Sequence, residues 1–194
     1  MYKTRNVGIL VFNDVEVMDF CGPFEVFSVA NRTSSNQPFQ VFTIAEKEGP
    51  VCARNKLSIN PQYTIHNCLK LDILIVPGGQ GTRNEMNNEI ILNWIKSINP
   101  DLELLLTVCT GALIIAKCGL LDGLTATTHH LSLDLLKEIA LDTNIVSGER
   151  YIDNGKIILS GGISAGIDMS LYVVEKLLGK ESAAKTTDIM EYGW

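Results

Sequence analysis

Cys109 has the clearest potential for covalent chemistry in this sequence, because of the residues on either side of it. It follows the apolar run Leu104–Val108 and precedes Thr110-Gly111-Ala112, which opens a helix-like stretch. A side chain at such a strand-to-helix corner is exposed by the sharp turn and faces the free N–H groups of a helix N-terminus, which favour an anion. Thiols in such places have pKa values of roughly 3.5–7.5 rather than about 8.5, so we expect a thiolate nucleophile at Cys109. The alternative is a small buried hydrophobic residue at a strand end, but the strand, Cys-Thr-Gly, helix order favours a functional thiol.

Residues suited to assist a thiol follow three other predicted strands. Asp19 lies beyond the first strand, Pro77-Gly78-Gly79 beyond the middle strand, and Gly161-Gly162-Ile163 beyond the last one. Ligands of open α/β sheets bind at the carboxyl ends of the strands. We therefore expect these loops to converge with Cys109 on a pocket that holds a thiol, a carboxyl group and free backbone N–H donors.

The Pro-Gly-Gly turn has two interpretations. It is a plain tight turn, or else Gly78 or Gly79 lets backbone N–H groups approach a substrate closely. Together with the N–H of Thr110, such donors would polarise a bound atom, a contribution of about 3 kcal/mol per donor in known oxyanion holes. In this context we expect Gly78, Gly79 and Thr110 to bind the substrate.

Strand and helix patterns alternate along the whole sequence, which predicts an α/β fold with a mostly parallel sheet in a single domain, residues 1–194. Residues 7–12 are a continuous apolar run of the kind that is buried on both faces of such a sheet, and residues 71–76 are the clearest parallel strand, which Pro77-Gly78-Gly79 ends. Further strand segments are expected at 39–45, 104–108 and 125–128, with hairpins at 51–60 and around Asp153-Asn154-Gly155, whose Asn-Gly pair is a turn signal. Helices are expected at 22–30, with Pro23 in the first turn, and at 89–99, 131–140, 165–178 and after Lys180.

The composition limits the classes of partner. Hydrophobic residues make up 46% of the 194 residues and charged residues 20%, values typical of a folded globular chain. The net charge of −6 argues against binding to nucleic acid or to an anionic membrane surface, since both need clustered Lys and Arg. The first residues show no signal-peptide pattern, and no segment approaches the roughly 20 apolar residues of a membrane helix. We therefore expect a cytoplasmic protein.

The cysteines and histidines form no recognisable metal motif. The five cysteines are scattered without a C-x-x-C pair, and the three histidines, His66, His129 and His130, lack the spacing of metal ligands. This pattern fits neither a disulfide framework nor a zinc cluster, so we expect no structural metal.

Six segments resemble the ThiJ/PfpI superfamily, the group that includes the DJ-one proteins and the bacterial isocyanide hydratases. They are Asp19-Phe20-Cys21-Gly22-Pro23-Phe24-Glu25-Val26-Phe27, Pro77-Gly78-Gly79-Gln80-Gly81, Val108-Cys109-Thr110-Gly111-Ala112, Gly119-Leu120-Leu121-Asp122-Gly123, Ala126-Thr127-Thr128-His129, and Gly161-Gly162-Ile163-Ser164-Ala165-Gly166-Ile167-Asp168. The sequence is most similar to the isocyanide hydratase branch and to the amidotransferase-like sensor domain of AraC-type regulators. The resemblance implies a flavodoxin-like, class I glutamine amidotransferase-like three-layer sandwich with a nucleophile elbow at Cys109, and a homodimer.

The resemblance also places an acidic partner for the thiol at Asp19 and a pocket-lining segment at Gly162 and Ile163. A carboxyl group against a thiol in a confined pocket should have its pKa raised by desolvation and by repulsion from a developing thiolate. It would then stay protonated and donate a hydrogen bond to the sulfur. The alternative role for Asp19 is that of a helix N-cap near Gly22-Pro23.

The function that the resemblance implies is hydration of a small isocyanide to an N-substituted formamide, without a cofactor. Cys109 would form a thioimidate with the isocyanide carbon. Asp19 would first donate a proton toward that carbon and then help to activate water. Protease-like relatives carry His directly after the Cys, where this chain has Thr110, so peptidase activity is not expected. His129 and His130 are expected near the same edge of the sheet, either beside the site or as surface residues at a helix start.

Two further functions stay open at this point. One is a non-catalytic ligand or redox sensor, in which Cys109 is oxidised to a sulfinate. The other is glyoxalase- or deglycase-type chemistry on small carbonyl compounds.

Overall fold

Alternating strands and helices run through the whole computed structural model, which describes residues 3–34 and 36–193. The strands are β1 (Arg5–Leu10), β2 (Phe39–Ala45), β3 (Val51–Cys52), β4 (Ser58–Ile59), β5 (Tyr63–Thr64), β6 (Ile73–Val76), β7 (Leu104–Val108), β8 (Thr125–Ala126), β9 (Asn144–Ile145), β10 (Tyr151–Asp153) and β11 (Ile157–Ser160). The helices are α1 (Val17–Ala30), α2 (Thr82–Glu85), α3 (Glu89–Ile98), α4 (Gly111–Lys117), α5 (Leu133–Ile139), α6 (Ala165–Leu178) and α7 (Lys180–Ile189).

Seven strands form the central sheet, in the order β10-β11-β7-β6-β1-β2-β5. All neighbouring pairs are parallel except β10 and β11, which form the predicted antiparallel hairpin around Asn154-Gly155. Helices α1, α6 and α7 contact one another. In the other group, α2, α3 and α5 each contact α4. The predicted α/β architecture of three layers with a mostly parallel sheet is confirmed.

The central strands explain this arrangement. Every residue of β6 and of β7 is buried, as expected for strands covered by helices on both faces. Parallel strands all end at the same edge, so the segments after β6, β7 and β11 meet there. The small predicted hairpin at residues 51–60 is also present, as the pair β3 and β4.

The first helix differs from its prediction. It begins at Val17 rather than at Gly22-Pro23, so Pro23 lies inside α1. Proline removes one backbone hydrogen bond from a helix interior. The helix nevertheless continues through Pro23. Phe20 is buried and lies seven residues before the fully buried Phe27, so it extends the same apolar stripe of the helix toward the N-terminus.

Within residues 3–34 and 36–193, every helix is too short or too polar to cross a lipid bilayer.

Candidate active site

Cys109 occupies the corner between β7 and α4 in a conformation that is rare for any residue except glycine. Its φ angle is +56°, in the left-handed region that costs a non-glycine residue free energy. Hydrogen bonds hold the backbone there: the N–H of Cys109 donates to the carbonyls of Ser160 (3.2 Å) and Gly161 (3.0 Å). The carbonyl of Cys109 accepts a hydrogen bond from the Thr128 hydroxyl at 2.8 Å. The sharp turn expected at Cys109 is therefore present and is tied to the end of the neighbouring strand β11.

The thiol of Cys109 is more enclosed than the sequence suggests. Only 5% of the residue is exposed. Burial and the negative charge of Asp19 raise the thiol pKa to about 12, against the opposing effect of the backbone N–H groups of Thr110 and Ile163, which face the sulfur. The expectation of a lowered thiol pKa was wrong, because two N–H groups do not offset the desolvation of a thiolate in this pocket.

Asp19 is the third residue of α1 and is completely buried. Burial raises the pKa of its carboxyl group to about 7, although hydrogen bonds from Cys109 and from the N–H of Gly78 act in the opposite direction. The Gly78 N–H donates to Oδ2 at 3.0 Å, whereas Oδ1 has no partner of normal hydrogen-bond geometry among the described residues. The predicted direction of the pKa shift is confirmed. The N-cap alternative is wrong, because Glu16 holds the N-cap position.

Cys109 and Asp19 titrate as a pair, since each contributes to the shift of the other. Between pH values of about 7 and about 12 the pair holds one proton. A thiol beside a carboxylate and a thiolate beside a carboxyl group have the same proton count. The pair can therefore pass its proton between sulfur and oxygen without taking one from solvent.

The Pro-Gly-Gly turn after β6 positions these groups rather than offering free donors. The N–H of Gly78 is bonded to Asp19, and the N–H of Gly79 donates to the Thr110 hydroxyl at 3.0 Å. A Cβ atom at position 78 would lie 2.5 Å from the Thr110 nitrogen and 2.8 Å from Asp19 Oδ2. The expectation that Gly78 and Gly79 present N–H groups to a substrate is therefore corrected, because both groups already have protein acceptors.

A cleft of about 290 Å³ opens above the sulfur. Its lining residues are Glu16, Arg54, Gly79, Gln80, Arg83, Cys109, Thr110, His129, Leu131, Ser132 and Ile163. Asp19 is absent from this lining because it lies beneath the cleft, where it is shielded from solvent. The cleft thus presents a thiol, two guanidinium groups, the Glu16 carboxylate and several neutral polar groups to a ligand, and the Asp19 carboxyl group lies below them.

The chain matches a known protein family over most of its length. The model of the DJ-1/PfpI family matches residues 5–176. This chain belongs to the DJ-1/PfpI family. It is 33% identical over 186 residues to the isonitrile hydratase of Pseudomonas putida, an alignment that covers 96% of this chain and 78% of that protein.

Other members of the DJ-1/PfpI group match as well. The HTH-type transcriptional regulator GbdR of Pseudomonas aeruginosa is 26% identical over 192 residues, covering 97% of this chain but only 51% of the regulator. This chain thus spans about half the length of that regulator. A crystal structure of a THiJ/PfpI family protein from Pseudomonas syringae superposes with a TM-score of 0.89 at 26% identity, over 100% of this chain and 77% of that one. The family therefore includes both enzymes and regulators.

The segment after β11 lies only partly where the family resemblance implies, because Ile163 lines the cleft whereas Gly162 lines a neighbouring cavity. Ile163 lines the cleft with a φ angle of +48° and is 42% exposed. A Cβ atom at Gly162 would lie 2.3 Å from the ring of His129, so glycine lets this loop pack against the histidine. His129 lines the cleft, whereas His130 lines a neighbouring cavity, with the two rings 4.4 Å apart.

Sequence reasoning missed the charged part of the cleft. Arg83 lies in α2, just after the Pro-Gly-Gly turn, and Arg54 lies between β3 and β4. Proximity of Arg83 to the turn was a usable signal, because residues that follow a strand end lie at the same edge of the sheet. Arg54 had no such signal, since it reaches the cleft from a hairpin outside the central sheet.

Proposed function

We propose that this protein is a cofactor-independent hydratase that converts a small isonitrile into an N-substituted formamide through a covalent intermediate on Cys109. One observation carries the proposal: a buried carboxyl group with a raised pKa shares a proton with a thiol that faces an open cleft. The similarity to an isonitrile hydratase over nearly the whole chain supports this substrate class.

In the first step, Asp19 takes the thiol proton while the sulfur of Cys109 adds to the terminal isonitrile carbon. Asp19 then delivers the same proton to that carbon. The result is R–N=CH–S–Cys109, a thioimidate, and no atom other than those of the substrate and the thiol is needed. A carboxyl group whose pKa lies near neutrality is suited to act first as base and then as acid.

In the second step, water adds to the thioimidate carbon. One water proton goes to the substrate nitrogen by way of Asp19, and the hydroxyl group remains on carbon. The C–S bond then breaks, the hydroxyl becomes the formamide carbonyl, and its proton returns to the thiol–carboxyl pair. The N–H groups of Thr110 and Ile163 favour the negative charge that the departing sulfur acquires.

The alternative of a redox sensor, in which Cys109 is oxidised to a sulfinate, is less well supported by the site. Oxidation to a sulfinate proceeds through the thiolate, and the raised pKa of Cys109 makes that form scarce at neutral pH.

The homodimer that the family resemblance implies stays a prediction, which sedimentation of the purified protein checks.

Turnover of p-nitrophenyl isocyanide tests the proposal. We expect wild-type activity, none in Cys109→Ala, and a loss of about 10²- to 10⁴-fold in Asp19→Ala, the usual contribution of a general acid–base residue. The matched control is Cys118→Ala, which removes another buried thiol outside the cleft lining and should retain activity. Intact mass spectrometry should show the substrate mass added at Cys109. Equal rates in wild type, Cys109→Ala and Asp19→Ala would refute the mechanism.

A further inference from the structure

Arg83 is a cation at the cleft that the proposed chemistry does not use. Its Nη1 donates to the Thr82 hydroxyl at 3.1 Å and its Nη2 donates to the Ser132 hydroxyl at 2.9 Å. Both partners are neutral. Among the described residues, no Asp or Glu oxygen lies within 4.0 Å of the Arg83 guanidinium. The group is therefore held in place by neutral hydroxyls, and no carboxylate of residues 3–34 or 36–193 forms an ion pair with it.

The other charged groups of the cleft do not cancel this charge. Arg54 and Glu16 form an ion pair of 3.9 Å with each other. Burial and the nearby charges of His130 and Arg83 lower the pKa of His129, against the opposing effect of Glu16, and so disfavour a positive charge on its ring. Among the described residues that line the cleft, Arg83 is thus the cation that no lining carboxylate pairs with, in a protein whose net charge is −6. The thiol–carboxyl pair of Cys109 and Asp19 carries one negative charge above a pH of about 7, and its carboxyl group lies beneath the cleft, outside the lining.

We propose that Arg83 binds a carboxylate on the substrate, so that the preferred isonitrile is an anionic one whose carbon reaches Cys109 while its carboxylate contacts the guanidinium. The inference rests on the proposed function for the identity of the reacting group. A guanidinium has five N–H donors in a planar fork that matches a carboxylate. Two of them are used by Thr82 and Ser132, which leaves three, and these two hydroxyls fix the fork before a ligand arrives.

A matched pair of substrates tests the inference directly. Isocyanoacetate carries the carboxylate, and methyl isocyanoacetate carries the same reacting group without the charge. In wild type we expect a higher kcat/KM for isocyanoacetate. In Arg83→Met that value should fall by about tenfold or more, as when a charged hydrogen bond is lost. The value for the ester should fall less than the value for isocyanoacetate, because the ester presents no negative charge to the guanidinium.

Arg83→Lys and Arg32→Met are the companion variants. Lysine retains the charge but loses the fork, so we expect partial retention of the preference for isocyanoacetate. Arg32 is an exposed arginine outside the cleft lining, so Arg32→Met controls for the loss of one positive charge. An unchanged ratio of isocyanoacetate to ester turnover in folded Arg83→Met, or an equal change in Arg32→Met, would overturn the inference.

Alkylation of Cys109 gives a readout that does not depend on isonitrile turnover. Iodoacetate and iodoacetamide transfer matching groups to the sulfur with loss of iodide and of the thiol proton, which passes to solvent, and only the former is an anion. We expect Arg83→Met to lower the iodoacetate-to-iodoacetamide rate ratio at Cys109 several-fold, with the ratio unchanged in Arg32→Met. If neither isonitrile is turned over while this ratio still depends on Arg83, the proposed function fails and the carboxylate site stands. If both isonitriles are turned over and the ratio is insensitive to Arg83, the carboxylate site fails and the hydratase stands.

Discussion

The backbone N–H of Gly78 donates to Oδ2 of the buried Asp19 carboxyl group at 3.0 Å, while Oδ1 of the same group has no partner of normal geometry among the described residues. One oxygen is thereby anchored to the turn after β6. We infer that the other oxygen is the one that exchanges a proton with Cys109. A buried oxygen without a hydrogen-bond partner costs folding free energy. Its retention at this position is consistent with a role for this oxygen in proton exchange with Cys109.

Substitution of Gly78 by Ala should disrupt both folding and activity. The new Cβ would lie within 2.8 Å of Thr110 Oγ1 and of Asp19 Oδ2, so one of these groups must move. We expect a loss of about 1–3 kcal/mol in the free energy of unfolding, typical of overpacking. A displaced carboxyl should also reduce kcat/KM for p-nitrophenyl isocyanide by about 100-fold.

Gly193→Ala is the control for this substitution, since a Cβ at that position meets nothing within 4 Å. It should change stability by less than about 0.5 kcal/mol. Urea denaturation and steady-state kinetics of both variants supply the comparison. A Gly78→Ala enzyme as stable and active as Gly193→Ala would contradict the close packing described for the turn.

The hydratase activity should rise with pH through a midpoint near the Asp19 pKa of about 7. Below that pH the thiol and the carboxyl group are both protonated, so the pair has no base. Above it the pair holds one proton and can cycle it between sulfur and oxygen. The measurement is kcat/KM from about pH 5 to about pH 9, which reports the ionisation of the free enzyme. Asp19→Asn should lack this midpoint, while Cys118→Ala should keep it. A wild-type rate with no midpoint between about pH 5 and about pH 9 would show that Asp19 ionises as an ordinary carboxyl group.

Stability should fall as pH rises from about 4 to about 7 because of Asp19. The folded pKa of about 7 lies above the ordinary value of 3.8, so in this window the folded state holds a proton that the unfolded state has released. Each pH unit then removes about 1.4 kcal/mol of unfolding free energy, on the order of 4 kcal/mol in total. This contribution is fully present below pH 3.8 and is lost as pH rises through about 7.

Asp19→Asn should abolish that pH dependence, because asparagine does not ionise. Urea denaturation at several pH values would show the stability of the variant gaining on that of wild type as pH increases. Asp134→Asn is the control, since Asp134 has 94% of its side chain exposed, and it should follow wild type. A constant difference between Asp19→Asn and wild type would mean that the buried carboxyl titrates normally.

Replacement of Thr110 by Val should destabilise the site without changing its shape. The Thr110 hydroxyl accepts a hydrogen bond from the Gly79 N–H at 3.0 Å and lies 3.1 Å from the Thr82 hydroxyl. Valine fills the same volume but leaves the Gly79 N–H without its acceptor, a loss of about 1–3 kcal/mol. Thr110→Ser keeps the hydroxyl and should recover most of the stability in thermal or urea unfolding. Equal stability of the Val and Ser variants would indicate that the hydrogen bond contributes nothing.

Several elements followed from local sequence patterns alone. The helix expected at residues 165–178 is found at those bounds as α6, because Gly179 follows it with a positive φ angle that ends the helix. The start of α1 was missed, since a proline is most often found in the first turn of a helix. Burial of Phe20 extended the helix before Pro23, and such burial depends on contacts distant in sequence.

The corner at Cys109 and the loops that meet there could be predicted from local sequence patterns. An apolar strand, a cysteine, a glycine and a helix in direct succession allow few backbone paths, and parallel strands end at one edge. The protonation of the site and the charge of its cleft depend on the folded chain. The pKa values of Cys109 and Asp19 depend on how completely packing removes water from them. Likewise, Arg83 and Arg54 come from segments that only the folded chain brings to the same thiol.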